Sequence, residues 1–316
     1  MTSKNYAGID LGSNSCKLLI CNENGRTLCV KNYPTRLAEG MYKENKITPE
    51  AFERGQQCFF DCRQLLDKYN VSPQNLRAIT TAACRMAANG REFVKKIYDE
   101  SHIRLEIIDG REEALLNLKG AAEHVRGKSK YLIVYDLGGG STEVTLAANT
   151  DNPEILQTIS IPWGARNASE AFNLVEYSAE AGDRLRVEVD GYLDDFLAKA
   201  DLAAHSDLCF VATSSTPLRL VSMIRGFGDY NRERADGLKM SRQEMDAAID
   251  GLLRARREEL AQNPYIGDKR SYIFIAACVI FRRIYERLGI AELTASLKSA
   301  KDGIVAELIA RDRKEG

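Results

Sequence analysis

Two stretches carry the residue types that phosphate and metal chemistry require. In YLIVYDLGGGSTEVTL, residues 131–146, an apolar run ends at Asp136, three glycines follow at 138–140, and Ser141, Thr142 and Glu143 come next. A fainter copy, YAGIDLGSNSCKLLI at 6–20, places Asp10, Gly12, Ser13, Asn14 and Ser15 in the same order. Consecutive glycines are expected to take positive φ and lie flat against a ligand. The N–H groups of such a turn form a concave nest for anions, and the Ser141 and Thr142 hydroxyls add donors. An acid beside an anion nest calls for a cation between them. A phosphate in the turn, with a divalent metal bridging it to the acids, is the simplest arrangement. A glycine-rich hairpin without a ligand is the alternative.

The elements that must position these groups read as two similar halves. In the first, residues 17–21 and 26–30 flank Asn24-Gly25, the signature of a hairpin with a type I′ turn. An extended piece then reaches Tyr33 and Pro34, and TRLAEG places Arg36 on a loop. Thr48 and Pro49 suit the cap and first position of a helix. Its buried face is Cys58, Phe59, Cys62, Leu65, Leu66 and Tyr69. A strand at 76–80 runs into a helix bearing Arg85, and a strand at 104–108 ends at Asp109-Gly110. The next helix opens with Glu112 and Glu113, where the helix dipole alone favours acids. They stand on the strand edge where open α/β sheets bind ligands.

The second half repeats the order. Strands at 144–148 and 155–161 are joined by ANTDNP, and residues 162–165 echo the Pro34 corner. A helix at about 181–199 precedes a strand at 208–212, the TSSTP turn and a helix at 218–223. Residues 226–240 read as a polar loop, followed by helices at about 241–262 and 268–288, a strand at 293–297 and a final helix. The fold class is therefore α/β: two actin-like (ribonuclease H-like, βββαβα) domains facing across a cleft. Residues 1–122 form the first and 123–300 the second, with inserted helices; the final helix, 301–316, is able to pack on the first.

With 316 residues and a net charge of -1, the chain suits two domains and offers no general field for nucleic acid or a membrane surface. No run approaches the roughly 20 apolar residues of a membrane span, and the N-terminus lacks a secretory apolar region. Eight cysteines without CxxC pairing suggest a reduced, cytoplasmic protein. Cys58 and Cys62, one helical turn apart, read as core rather than metal ligands. Three scattered histidines exclude an HExxH zinc site. Basic residues between 253 and 287 either line a polyanion track or form a solvated helix face.

In this order GIDLGSNSCKLLI, TRLAEGM, TTAACRMAANGREFV, IIDGREEALL, YDLGGGSTEV and IPWGA resemble the exopolyphosphatase / guanosine pentaphosphate phosphohydrolase (Ppx/GppA) family, in its short form and over nearly the whole chain. The resemblance implies processive, magnesium-dependent hydrolysis of the terminal phosphoanhydride of inorganic polyphosphate by a homodimer. The alternatives are guanosine pentaphosphate 5′-phosphohydrolysis and a non-catalytic, actin-like phosphate or nucleotide switch. It assigns Glu113 as catalytic base, Glu143 as a second catalytic carboxylate and Asp136 as a metal-associated acid. Ser13, Asn14, Ser15, Gly139, Gly140, Ser141 and Thr142 match phosphate-binding turns; Arg36 and Arg85 match basic positions beside the phosphate. Magnesium is expected on Asp10, Asp136 and Glu143, partly through water. Two departures stand out: Ala212–Thr216 replaces a glycine-rich turn, and Lys269, Arg270 and Ser271 replace an Arg-Ala-Asp helix opening.

Overall fold

The computed structural model describes residues 4–150 and 153–315. They fall into two compact units, Met1–Gly120 with Ala300–Gly316, and Ala121–Ser299. In the first, β1 (Asn5–Leu11), β2 (Cys16–Asn22), β3 (Thr27–Tyr33), β4 (Leu76–Thr80) and β5 (Leu105–Ile107) form a sheet in the order β3-β2-β1-β4-β5. The first three strands make an antiparallel meander, and β4 and β5 run parallel to β1. The second unit repeats this with β6 (Tyr131–Leu137), β7 (Thr142–Ala148), β8 (Glu154–Ile161), β9 (Leu208–Thr213), β10 (Lys239–Ser241) and β11 (Glu292–Ser296). Its order is β10-β11-β9-β6-β7-β8, with β6–β8 as the meander, β9 and β11 parallel, and β10 an added antiparallel edge. Each unit is thus an α/β, actin-like domain of ribonuclease H-like order.

Strand alternation decides which helix each side chain meets. On β1 and β2, Ala7, Ile9, Leu11, Cys16, Leu18 and Ile20 pack with Cys58, Phe59, Cys62 and Leu66 of the helix Pro49–Lys68. The opposite face, Tyr6, Leu19 and Cys21, packs with Ile304, Val305 and Leu308 of the helix Ala300–Glu315. Burial on both faces explains why these strands read as near-continuous apolar runs. Gly8 shares the second face because a Cβ there would lie 2.6 Å from the Lys301 carbonyl oxygen. In the second unit the helices Ala179–Ala200 and Phe274–Arg287 supply much of the core, with the Tyr135 ring 5.4 Å from that of Phe281.

The structure departs from the sequence expectations at several points. The hairpin at Asn24-Gly25 is not type I′, since Gly25 alone there has positive φ (77°). Instead the Gly25 amide donates to the Asn22 carbonyl, and the Asn22 side chain accepts from the Asn24 and Arg26 amides. This local amide cap competes with the two-residue turn. The stretch 226–240 is no uniform loop: Asn231 caps the helix Arg232–Ala235, and Lys239–Ser241 pairs with β11. The two expected late helices divide into Arg242–Leu253, Arg257–Gln262, Asp268–Ser271 and Phe274–Arg287. One break precedes the Arg256 cap, whose amide donates to Glu259, and another falls at Gly267 (φ 73°). An additional helix, Ala165–Phe172, follows β8, started by the Asn167 side chain accepting from the Gly164 amide. Part of the ANTDNP turn (Asp151, Asn152), the chain start (Met1–Ser3) and Gly316 lie outside the described residues.

Candidate active site

In the first unit, Asp10 stands near the C-terminal end of β1 and is paired in register with Lys17 on β2. The Lys17 Nζ lies 3.5 Å from its carboxylate. Lys301, at the start of the helix Ala300–Glu315, faces the same place and pairs with Asp302 at 2.5 Å. Burial lowers the Lys301 pKa, while Asp302 and Asp10 oppose that shift. The sequence reading missed both lysines around Asp10. Lys17 was inside the quoted motif, whereas Lys301 is distant in sequence and has no local signal.

The turn after β1 closes with the Gly12 amide donating to the Ser15 carbonyl (3.0 Å). The loop after β3 docks on it: the Arg36 amide donates to the Asn14 carbonyl (3.0 Å), and the Ala38 amide to the Ser13 carbonyl (2.9 Å). Arg36 adopts φ 46° in this loop, which Arg54 holds through the Thr35 and Arg36 carbonyls and Glu39. On the parallel side of the sheet, the Glu112-Glu113 pair splits. Glu112 turns to Arg77, and its amide is capped by Asp109. Glu113 turns inward, is buried, and lies 3.8 Å from Arg85, which also donates to the Ile108 carbonyl (2.7 Å). The two acids, equivalent by composition, therefore have different environments, and Glu113 is the one held beside a cation in the interior.

The second unit repeats this geometry. The Gly138 amide donates to the Ser141 carbonyl (2.9 Å), and the corner after β8 docks on the turn. The Ala165 and Arg166 amides donate to the Gly138 and Gly139 carbonyls (both 2.9 Å), and the Asn167 side chain to the Gly140 carbonyl (2.9 Å). Arg166 thus takes on this turn the place of Ala38, whose amide donates to Ser13, the residue matching Gly139. The PWGA corner pointed to Arg166, one residue beyond the quoted motif. With their carbonyls engaged, the Gly139, Gly140 and Ser141 amides donate to no protein group among the described residues.

Two expectations about this turn are corrected. None of Gly138, Gly139 and Gly140 has positive φ; the close approach is made by Gly164, where a Cβ would come within 2.6 Å of the Gly139–Gly140 backbone. Thr142 is no exposed donor: it is fully buried, and its hydroxyl donates to the Trp163 carbonyl (2.7 Å). A hydroxyl has one hydrogen to give, so Thr142 braces the corner and Ser141 stays at the turn. Asp136 is paired in register with Glu143 on one side and Thr213 on the other. Glu143 is buried and accepts from the Ser160 hydroxyl (2.9 Å).

Ser214 follows Thr213 with φ 88° and ψ -175°. This region is essentially reserved for glycine, and occupying it costs about 1–3 kcal/mol. The TSSTP turn thus holds a serine in a glycine's backbone conformation. The Thr213 and Ser214 hydroxyl oxygens are both buried without a hydrogen-bond partner. Ser214→Gly is expected to raise unfolding free energy by about 1 kcal/mol or more through strain relief, read as a higher urea midpoint at unchanged slope. Beyond it, Arg219 and Arg270 pair with no carboxylate among the described residues. Arg219 stacks 3.9 Å above the Tyr230 ring. Burial, with Arg219 and Arg166 nearby, pushes the Arg270 guanidinium down to about 10, still cationic at neutral pH. A group of arginines with so little acidic compensation suits an anion.

The sequence pattern of the Ppx/GppA phosphatase family matches residues 25–312. The chain belongs to that family. Among curated relatives, a bifunctional 3-dehydroquinate synthase/phosphatase of Fusobacterium nucleatum is 26% identical over 293 residues, 90% of this chain. The chain spans 43% of that relative's length. Among solved structures, an exopolyphosphatase-like protein is 25% identical with a TM-score of 0.89, covering 99% of this chain and all of its own. An exopolyphosphatase from Cytophaga hutchinsonii, 23% identical, shares the fold with a TM-score of 0.84 over 98% of each chain. This Ppx/GppA chain therefore keeps the family architecture. No helix among the described residues is long and apolar enough to cross a membrane.

Proposed function

We propose that this chain hydrolyses the terminal phosphoanhydride of inorganic polyphosphate with Mg2+. The observation that carries the reading is the set of undonated Gly139, Gly140 and Ser141 amides beside the paired acids Asp136 and Glu143. Amides oriented that way stabilise phosphate oxygens without reorganising. The oxygen-only donor set of Asp136 and Glu143, next to the orphaned Thr213 hydroxyl, fits a hard cation. Asp10, ion-paired with Lys17, is the acid at the corresponding turn of the first unit. The ion would neutralise charge building on the phosphates.

Arg166, Arg219 and Arg270 would hold further phosphates of the polyanion in the second unit, and Arg36 those at the first unit's turn. Glu113 would take the proton from the attacking water, with Arg85 beside its carboxylate. The purified chain, given long polyphosphate, tripolyphosphate or guanosine pentaphosphate with Mg2+, is expected to release phosphate fastest from long polyphosphate. Faster release from guanosine pentaphosphate would transfer the reading to that substrate. Release from none, with micromolar ATP binding, would leave a switch. Glu143→Gln is expected to raise the Mg2+ concentration for half-maximal activity by about tenfold or more, the loss seen even when only a supporting partner of a metal ligand is removed. An unchanged Mg2+ titration would remove Glu143 from the ligand set.

A further inference from the structure

Away from the phosphate turns, three cysteines converge. Cys16 opens β2, and Cys58 and Cys62 stand one turn apart on the helix Pro49–Lys68. Their sulfurs all lie within 4.8 Å of one another, and the residues are 0%, 3% and 0% exposed. We propose that Cys16, Cys58 and Cys62 form a binding site for one soft d10 metal ion such as Zn2+, Cd2+ or Cu+. The spacing of Cys58 and Cys62 alone gives no such site; strand alternation brings the third sulfur in by placing Cys16 on the face that meets this helix.

The geometry fits without rebuilding. Three thiolates around one ion at a metal–sulfur distance of about 2.3 Å stand about 4 Å apart, so the sulfurs need to close by less than about 1 Å. All-sulfur coordination selects soft cations over Mg2+, so this ion would not compete for the Asp136 and Glu143 oxygens. Hydrogen bonding from Cys16 and Cys58 pulls the Cys62 thiol below its usual range, although burial opposes this. Binding of the ion supplies the charge that lets the thiols ionise, each releasing its proton to solvent. Tyr33 lies against the cluster, but burial followed by the Cys62 and Cys58 thiols raises its phenol pKa, leaving it a neutral neighbour. An ion held there would tie β2 to the helix Pro49–Lys68 and stabilise the first unit.

The test needs no substrate, so it stands or falls apart from the polyphosphate reading. The reduced chain, equilibrated with Cd2+ in excess Mg2+, is titrated for the ultraviolet thiolate-to-metal charge-transfer band, which acidic sites do not produce. The expected result is saturation at one equivalent, an unfolding midpoint that rises with Cd2+, and loss of both in Cys58→Ala. The band should survive in a chain whose other five cysteines (21, 29, 84, 209 and 278) are replaced by serine or alanine. Absence of a band in the folded wild-type chain, or an undiminished one in folded Cys58→Ala, would overturn the site. Should Cys58→Ala fail to fold, the five-cysteine replacement decides: one equivalent supports the site, and none rejects it.

Discussion

Glu113→Gln is expected to lower kcat by about 10²–10⁴-fold, the range a positioned general base contributes, while leaving the fold in place. The amide keeps the side-chain volume but cannot accept a proton from water. The environment makes the substitution clean. Glu113 stands in the first turn of the helix Gly110–Ala121, where losing one negative charge costs about 0.3–1 kcal/mol. Arg85, 3.8 Å away, keeps an independent bond to the Ile108 carbonyl and so is not stranded. Glu112→Gln is the control: its carboxylate serves the Arg77 ion pair, and kcat should stay within a few-fold. Steady-state phosphate release and a thermal unfolding scan check both variants. A Glu113→Gln loss below tenfold would end the assignment of this residue as base.

Gly303→Ala should be strongly destabilising in the first unit. A Cβ at Gly303 would stand 2.1 Å from the Leu116 carbonyl oxygen and 2.9 Å from its carbon. Both are backbone atoms and cannot rotate aside. The helices Ala300–Glu315 and Gly110–Ala121 meet at that glycine, and the Asn117 side chain accepts from the Ala300 amide (2.8 Å) beside it. Relief requires the helices to part, which costs about 1–3 kcal/mol or more for overpacking of this kind. Because Glu113 sits one turn before Leu116 on the displaced helix, activity should also fall at temperatures where the variant remains folded. Gly191→Ala supplies the contrast. It lies inside the helix Ala179–Ala200 with nothing within 4 Å of the added methyl, and should raise stability by about 0.5–1 kcal/mol. Urea unfolding of the two variants in parallel separates crowding from helix propensity.

Much of the architecture was legible because its signals are local. Alternation and apolar runs marked the paired strands, Thr48-Pro49 marked a helix start that the structure caps through the Thr48 hydroxyl, and the repeat of Asp-then-turn located both phosphate-type turns. The boundaries of the late helices were not legible, since the Arg256 cap and the Gly267 bend interrupt an apolar periodicity that continues through them. At the candidate site, residue types were readable and environments were not. Composition could not tell Glu112 from Glu113, and Thr142 looked like a donor to ligand until Trp163 was seen to take its hydrogen.

The sequence by itself determined the two βββαβα units, the strand ends that carry Asp10 and Asp136, and the turns beside them, because hydrophobic period and turn chemistry act over a few residues. Only the tertiary structure decided that Lys301 reaches Asp10's surroundings, that Ser214 is held in a glycine's conformation, that Arg166, Arg219 and Arg270 gather, and that Cys16 meets Cys58 and Cys62. Those outcomes depend on which faces of distant elements pack together, and that choice is made by the whole core at once.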